Sequence, residues 1–170
     1  MGRLAPEKNV ESLVRAAVGV PGVRLLAAGD GPLRTELAEL ARTCGVAADF
    51  PGAIPNERLP TLLARLAVFA LPSRYEWSPK SLLEAMAAGV PVLAADVPGI
   101  RDVVRHGETG WLVRGDPDGL REGLTHLLGD GSLRDRLGAA GRRHVMLHHA
   151  TERVVERETD LILAMAAGAP

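Results

Sequence analysis

Short, almost unbroken apolar runs alternate with stretches of helical periodicity along most of this 170-residue chain, and few folds accommodate that alternation. Val23 to Ala28 (VRLLAA), Ala67 to Leu71 (AVFAL) and Pro91 to Ala95 (PVLAA) lack the in-out alternation of a half-exposed strand. Strands of this kind need cover on both faces. Helical stretches supply it: in Leu33 to Thr43, for example, Leu37, Leu40 and Ala41 fall on one helical face. Repeated βα units of this form build a parallel sheet with helices on its faces. The expected class is α/β, a Rossmann-like parallel sheet flanked by helices, with further helices at the C-terminal end.

In chain order the pattern predicts an amphipathic helix from Glu7 to Val18, then the strand Val23 to Ala28, stopped by Gly29-Asp30-Gly31-Pro32. After the helix ending near Thr43, Asp49 to Ile54 is strand-like and Asn56 is placed to cap a helix running to Leu66. The strand Ala67 to Leu71, a helix Pro79 to Ala88, the strand Pro91 to Ala95, a short helix Ile100 to Arg105 and a last strand Gly110 to Val113 follow. From Pro117 onward the period is helical, with breaks at Gly129-Asp130-Gly131 and at His148 to Thr151, predicting three closing helices. No linker or repeat interrupts the pattern, so a single domain over 1–170 is expected. Only Met1 to Pro6 precede the first helix, so the strand that should feed it is expected outside this sequence.

Composition removes several function classes. Twenty basic against 21 acidic residues leave a net charge of −1, with no footprint for nucleic acid and no polybasic membrane patch. No apolar run approaches the roughly 20 residues of a transmembrane helix, and the N-terminus lacks a signal-peptide core. One cysteine, Cys44, cannot pair internally and falls on the apolar side of a helix, a packing role. A reducing, cytoplasmic setting is expected.

The segment with most chemical content is Pro72 to Gly89 (PSRYEWSPKSLLEAMAAG), a polar loop between a buried strand and a helix. Ligands of open parallel sheets gather at that strand end, where helix N-termini offer amides to anions. Glu76 lies in the loop and Glu84 in the helix, eight positions on. A helical path between them would separate them by about 12 Å, too far to share a proton or a metal. They suit two parts of one extended ligand, and a nucleotide sugar has that layout. Carboxylates accept hydrogen bonds from its ribose and hexose hydroxyls, and its diphosphate faces the amides of Ser78, Lys80 and Ser81. The structural alternative makes Glu76 a solvated loop charge and Glu84 a carboxylate balancing its helix dipole. His144, His148 and His149 cluster at helical spacing, but no carboxylate or cysteine motif completes a metal site; exposed histidines at a fraying helix end are expected.

The stretch PSRYEWSPKSLLEAMAAGVPVLAADVPGIRDVVRHGETGWLV strongly resembles the C-terminal domain of family 4 retaining glycosyltransferases of GT-B architecture, which carry two glutamates separated by seven residues. GRLAPEKN at Gly2 to Asn9, GDGPL at Gly29 to Leu33 and DVPGIRDVVRHGETG at Asp96 to Gly110 resemble further elements of that family, so the likeness covers almost the whole chain.

That resemblance implies a role for each matched residue. Arg3 and Lys8 would contact the donor diphosphate, a guanidinium fork beside a mobile ammonium. Glu84 would bind the ribose. Glu76, the one catalytic residue expected, would contact the transferred sugar and stabilise positive charge at its anomeric carbon. Gly31, Ser78, Lys80, Ser81 and Leu82 complete the expected donor-binding set, with Gly31 and Gly99 divided between close ligand approach and plain turn chemistry. Neither metal nor cofactor is required, and the partner is a nucleotide-diphosphate sugar, UDP- or GDP-linked. The acceptor pocket would belong to an N-terminal domain outside this sequence, since the chain opens on Gly2-Arg3-Leu4 without the strand the family places before it. Trp77-Ser78 departs from the family's small-then-apolar order, and Trp77 reads better as cover for the loop's apolar side than as a stacking platform. Two other functions compete: a noncatalytic nucleotide-sugar-binding subunit awaiting a separate acceptor domain, and a nucleotide-sugar epimerase, against which the EKN element and the spaced glutamates argue.

Overall fold

The computed structural model describes residues 1–149 and Thr159. Five short strands, all parallel to their partners, form its centre. β1 (Leu25–Ala28) pairs with β2 (Ala48–Gly52) in one sheet, and β3 (Phe69–Leu71), β4 (Val92–Ala95) and β5 (Trp111–Val113) pair in that order in a second. Helices α1 (Val10–Ala17), α2 (Arg34–Thr43), α3 (Leu59–Leu63), α4 (Lys80–Ala87), α5 (Pro98–Arg101), α6 (Pro117–Gly129) and α7 (Gly131–His148) surround them.

β4 shows why the continuous apolar runs become strands. Every residue of it is buried, and successive side chains alternate between two cores. Val92 and Ala94 join Leu82, Met86, Ile100 and Val104 on one face, whereas Leu93 joins Leu120, Leu127 and Leu137 on the other. A fully buried residue of the Val/Leu/Met kind contributes roughly 1.5–3 kcal/mol, so these two cores dominate the fold's stability. Asp116 and Asp130 start α6 and α7 by accepting the N–H of Gly119 and of Leu133.

Several elements differ from the sequence reading. The helix expected over Glu7 to Val18 is broken: Pro6–Lys8 form a 3-10 turn, Asn9 adopts a left-handed conformation (φ 53°), and α1 begins at Val10. Asn9 is buried and its amide is committed to two distant carbonyls, which hold a backbone geometry that asparagine tolerates better than most residues. Asn56 is not a cap. It opens a 3-10 turn, Asn56–Arg58, without capping through its side chain, and α3 stops after five residues. Ile100 to Arg105 becomes the earlier and shorter α5. Of the three closing helices, α6 and α7 are present, and the third falls outside the described residues. No helix among the described residues is long and apolar enough to cross a membrane.

Candidate functional site

The extended residues Met1 to Leu4 lie along the end of β1, where Gly2 N–H donates to the Ala28 carbonyl (3.0 Å) and Leu4 N–H to that of Asp30 (2.8 Å). This segment, the loops after β1, β2 and β3, and the start of α4 enclose a cleft of about 470 Å³ at the C-terminal ends of the strands. Three cations, Arg3, Lys8 and Lys80, and two carboxylates, Glu76 and Glu84, line it together with Ser78 and Ser81. Asn56 and Leu59 also line it.

Glu76 is the most constrained of these groups. Its Oε1 accepts from Lys8 Nζ at 2.5 Å and from Ser73 Oγ at 2.8 Å. The carboxylate side chain is only 9% exposed and that of Lys8 28%. Three further ties fix the backbone around the pair. Arg74 N–H donates to the Glu7 carbonyl (2.9 Å), and Asn9 Nδ2 donates to the carbonyls of Pro72 (3.0 Å) and Gly115 (2.8 Å). Ser12 Oγ donates to Asn9 Oδ1 at 2.9 Å, so the amide of Asn9 is oriented as well as held. Gly99 closes the loop from behind: a Cβ there would sit 1.9 Å from the Glu76 carbonyl oxygen.

At the start of α4, Lys80 N–H donates to the Ser78 carbonyl (2.9 Å), so that amide is used locally. Exposed Glu84 faces the cleft while Leu82, Ala85 and Met86 face the core. Glu84 and Lys8 also bear on one common group, the α-amino of Met1. Burial first, then the charge of Lys8, push its pKa down, with the carboxylate of Glu84 opposing. Glu84 and the Lys8–Glu76 pair therefore share one electrostatic neighbourhood.

Arg3, Lys8, Ser78, Lys80, Ser81, Glu76 and Glu84 are thus brought together, whereas two expected positions are not. Leu82 has no exposed surface, and its N–H is bonded to the Pro79 carbonyl; it packs the core beneath α4 and presents nothing to the cleft. Gly31 lies against the N-terminal segment, where a Cβ would stand 2.4 Å from the Leu4 carbonyl oxygen. Its neighbours Gly29 and Asp30 line the cleft instead. Gly99, likewise, serves loop packing. Trp77 is 93% exposed and covers no apolar surface, contrary to the cover expected of it. Sequence reasoning assigned no role to Ser73, nor to Asn9 beyond its place in the EKN element; their local signal is a small polar residue beside a buried strand or a helix start.

The family model described as "Glycosyl transferases group 1" matches residues 1–144. A GDP-mannose-dependent alpha-(1-6)-phosphatidylinositol monomannoside mannosyltransferase of Mycobacterium tuberculosis is 36% identical over 159 residues, 85% of this chain and 41% of that protein. A GDP-mannose-dependent alpha-mannosyltransferase of Mycolicibacterium smegmatis is 39% identical over 150 residues, 86% of this chain and 37% of its own. Among solved structures, sucrose-phosphate synthase from Thermosynechococcus elongatus superposes with a TM-score of 0.89 at 28% identity, covering 99% of this chain and 45% of that one. The chain spans less than half the length of each of these three proteins.

Proposed function

The chain belongs to the group 1 glycosyl transferases, and from that premise we propose that it is the donor-binding half of a retaining enzyme that moves a sugar from a nucleoside diphosphate sugar to an acceptor. The observation that carries this reading is the convergence of Arg3, Lys8 and Lys80 with Glu76 and Glu84 in one cleft at the strand ends. Cations there suit a diphosphate that gains negative charge as it leaves, and groups fixed beforehand stabilise such charge without reorganising. Glu84, exposed on α4, is assigned to the ribose hydroxyls. Glu76 is assigned to the transferred sugar, where its charge opposes the positive charge growing at the anomeric carbon.

The two mycobacterial relatives are named as GDP-mannose-dependent, which makes GDP-mannose the first donor to test. The acceptor site is assigned to a part of the protein outside this sequence, and a cytoplasmic setting is supported by the unpaired Cys44. Thermal unfolding with GDP, UDP and GDP-mannose tests the reading. A ligand that binds only the folded state adds about 2.7 kcal/mol at a hundred times its Kd. Arg3→Ala and Glu84→Gln are expected to remove most of that gain. Absence of stabilisation by every nucleoside diphosphate at millimolar concentration, in a folded sample, would refute it.

A further inference from the structure

Three separate parts of the chain meet at Asn9, and each of its polar groups is committed there. Its backbone N–H donates to the Pro6 carbonyl (3.2 Å), and its own carbonyl accepts from Ser12 N–H (3.2 Å). Nδ2 carries two hydrogens and both are used, one on the Pro72 carbonyl and one on that of Gly115. Oδ1 accepts from Ser12 Oγ. The residue is only 6% exposed, so water does not stand in for these partners when the side chain is lost.

The partners belong to different elements. Pro72 opens the loop that follows β3 and carries Ser73 and Glu76, whereas Gly115 follows β5 and stands next to Asp116, the cap of α6. Ser12 lies in the first turn of α1. Lys8 immediately precedes this junction, and the left-handed conformation of Asn9 ends the 3-10 turn before α1 starts. An unbroken helix from Glu7 would carry Lys8 in step with α1. With the break, its ammonium instead reaches the carboxylate of Glu76, and Arg74 N–H on the Glu7 carbonyl ties the same two segments beside the pair. Residue type narrows what Asn9 does here. Glycine adopts left-handed backbone readily but has no side-chain donor, and aspartate tolerates it but would set a carboxylate against two carbonyls. Asparagine combines tolerance of this conformation with two donors on one nitrogen.

We propose that Asn9 is a positioning residue for the donor site: its carboxamide fixes the N-terminal segment against the loop after β3, so that the Lys8 ammonium and the Glu76 carboxylate are held as one unit before a ligand arrives. Groups held in place beforehand bind without reorganising. The inference rests on the reading of the cleft as a nucleotide-sugar site, in which Lys8 meets the diphosphate and Glu76 the sugar. A nucleotide sugar spans both members of the pair, whereas GDP reaches only the lysine. Loss of the carboxamide therefore weakens GDP-mannose more than GDP. An asparagine that served stability alone would alter neither.

Isothermal titration with GDP and GDP-mannose compares the parent chain with Asn9→Gly, which keeps the left-handed backbone and removes both donors, and with Asp130→Ala, a stability control outside the cleft. Asn9→Gly is expected to weaken GDP-mannose by about tenfold and GDP by no more than about threefold, and Asp130→Ala to change neither. A second readout needs no ligand. The coupling between Lys8→Met and Glu76→Gln in urea unfolding should fall from about tenfold in the parent to about twofold or less in the Asn9→Gly background, whereas a merely structural role lowers all four proteins alike and leaves the coupling intact. Unchanged coupling in Asn9→Gly overturns the proposal, as do parental affinities or equal weakening of the two ligands. Reduced coupling in a chain whose parent binds neither ligand upholds the positioning of the pair and refutes the donor reading instead. Far-ultraviolet circular dichroism reports folding. Where Asn9→Gly unfolds, trimethylamine N-oxide favours the compact state without supplying a donor at position 9, and both ligand titrations are made in its presence.

Discussion

The Lys8–Glu76 pair allows a prediction in which burial decides the sign of an asymmetry. Removing one partner of a fully buried ion pair costs about 3–5 kcal/mol, because the other charge is left without compensation. Here the two partners differ. Glu76 is 9% exposed and keeps only Ser73 Oγ when the lysine is lost, whereas Lys8 is 28% exposed on a flexible stem that can reach water. Lys8→Met is therefore expected to cost about 2 kcal/mol, discounted from the buried limit for partial solvent access. Glu76→Gln retains an amide that Ser73 can still bond, and should cost about 0.5–1 kcal/mol. The double variant loses both charges and should be little worse than Glu76→Gln, giving a coupling of about 1–2 kcal/mol. Urea unfolding of the four proteins measures this directly, and for a domain of this size 2 kcal/mol moves the melting temperature by about 4–8 °C. Equal costs for the two single variants, or a coupling within about 0.3 kcal/mol of zero, would refute the argument from unequal burial.

Other perturbations follow from single contacts. Gly99→Ala drives a Cβ to 1.9 Å from the Glu76 carbonyl oxygen; urea unfolding should show a loss of about 1–3 kcal/mol. Gly129→Ala, with open space around its Cβ, should stay within about 0.5 kcal/mol in the same assay. Asp130→Ala removes the carboxylate that caps α7 and should cost about 1 kcal/mol. His144 has its pKa lowered, first by burial and then by the charges of His148, His149 and Arg105. A histidine depressed in the folded state is neutral there while the unfolded chain still takes up a proton. Stability should therefore decline as pH falls below the ordinary histidine range, level off below the depressed folded-state value, and decline less in His148→Gln.

What the sequence made legible tracks how local each cause is. β4 could be located because helices on both faces demand an unbroken apolar run, and Val92 to Ala95 supplies one. The break between α6 and α7 announced itself through Gly129-Asp130-Gly131, where the Asp130 side chain bonds an amide three residues on. Asn9 gave no such sign, since the groups that hold it lie 63 and 106 residues away. Ser73 was hidden for a related reason, as its partner Glu76 is near in sequence but its burial depends on the whole sheet. Leu82 could have been placed correctly from period alone. It stands two residues, or about 200° of helical rotation, from Glu84, so when one faces the cleft the other faces the core.

The glycines of the site point to a further coupling. Gly29 and Gly31 sit under Met1 to Leu4, where a Cβ would approach Gly2 and Leu4 to 1.7 and 2.4 Å, so both serve backbone contact. Arg3 is therefore carried on a segment whose position depends on its pairing with the end of β1. Pairing with the end of β1 and an anion bound by Arg3 order the same four residues, and two events that order one element favour each other by the same free energy in either direction. Gly31→Ala, whose Cβ would stand 2.4 Å from the Leu4 carbonyl oxygen, should loosen that pairing. If the pairing is worth about 1.4 kcal/mol at Arg3, GDP should bind about tenfold more weakly to the variant. Reciprocity then requires GDP to slow hydrogen exchange of the Gly2 and Leu4 amides in the parent chain. Weaker binding without that protection would show that the substitution acts on the cleft by another route.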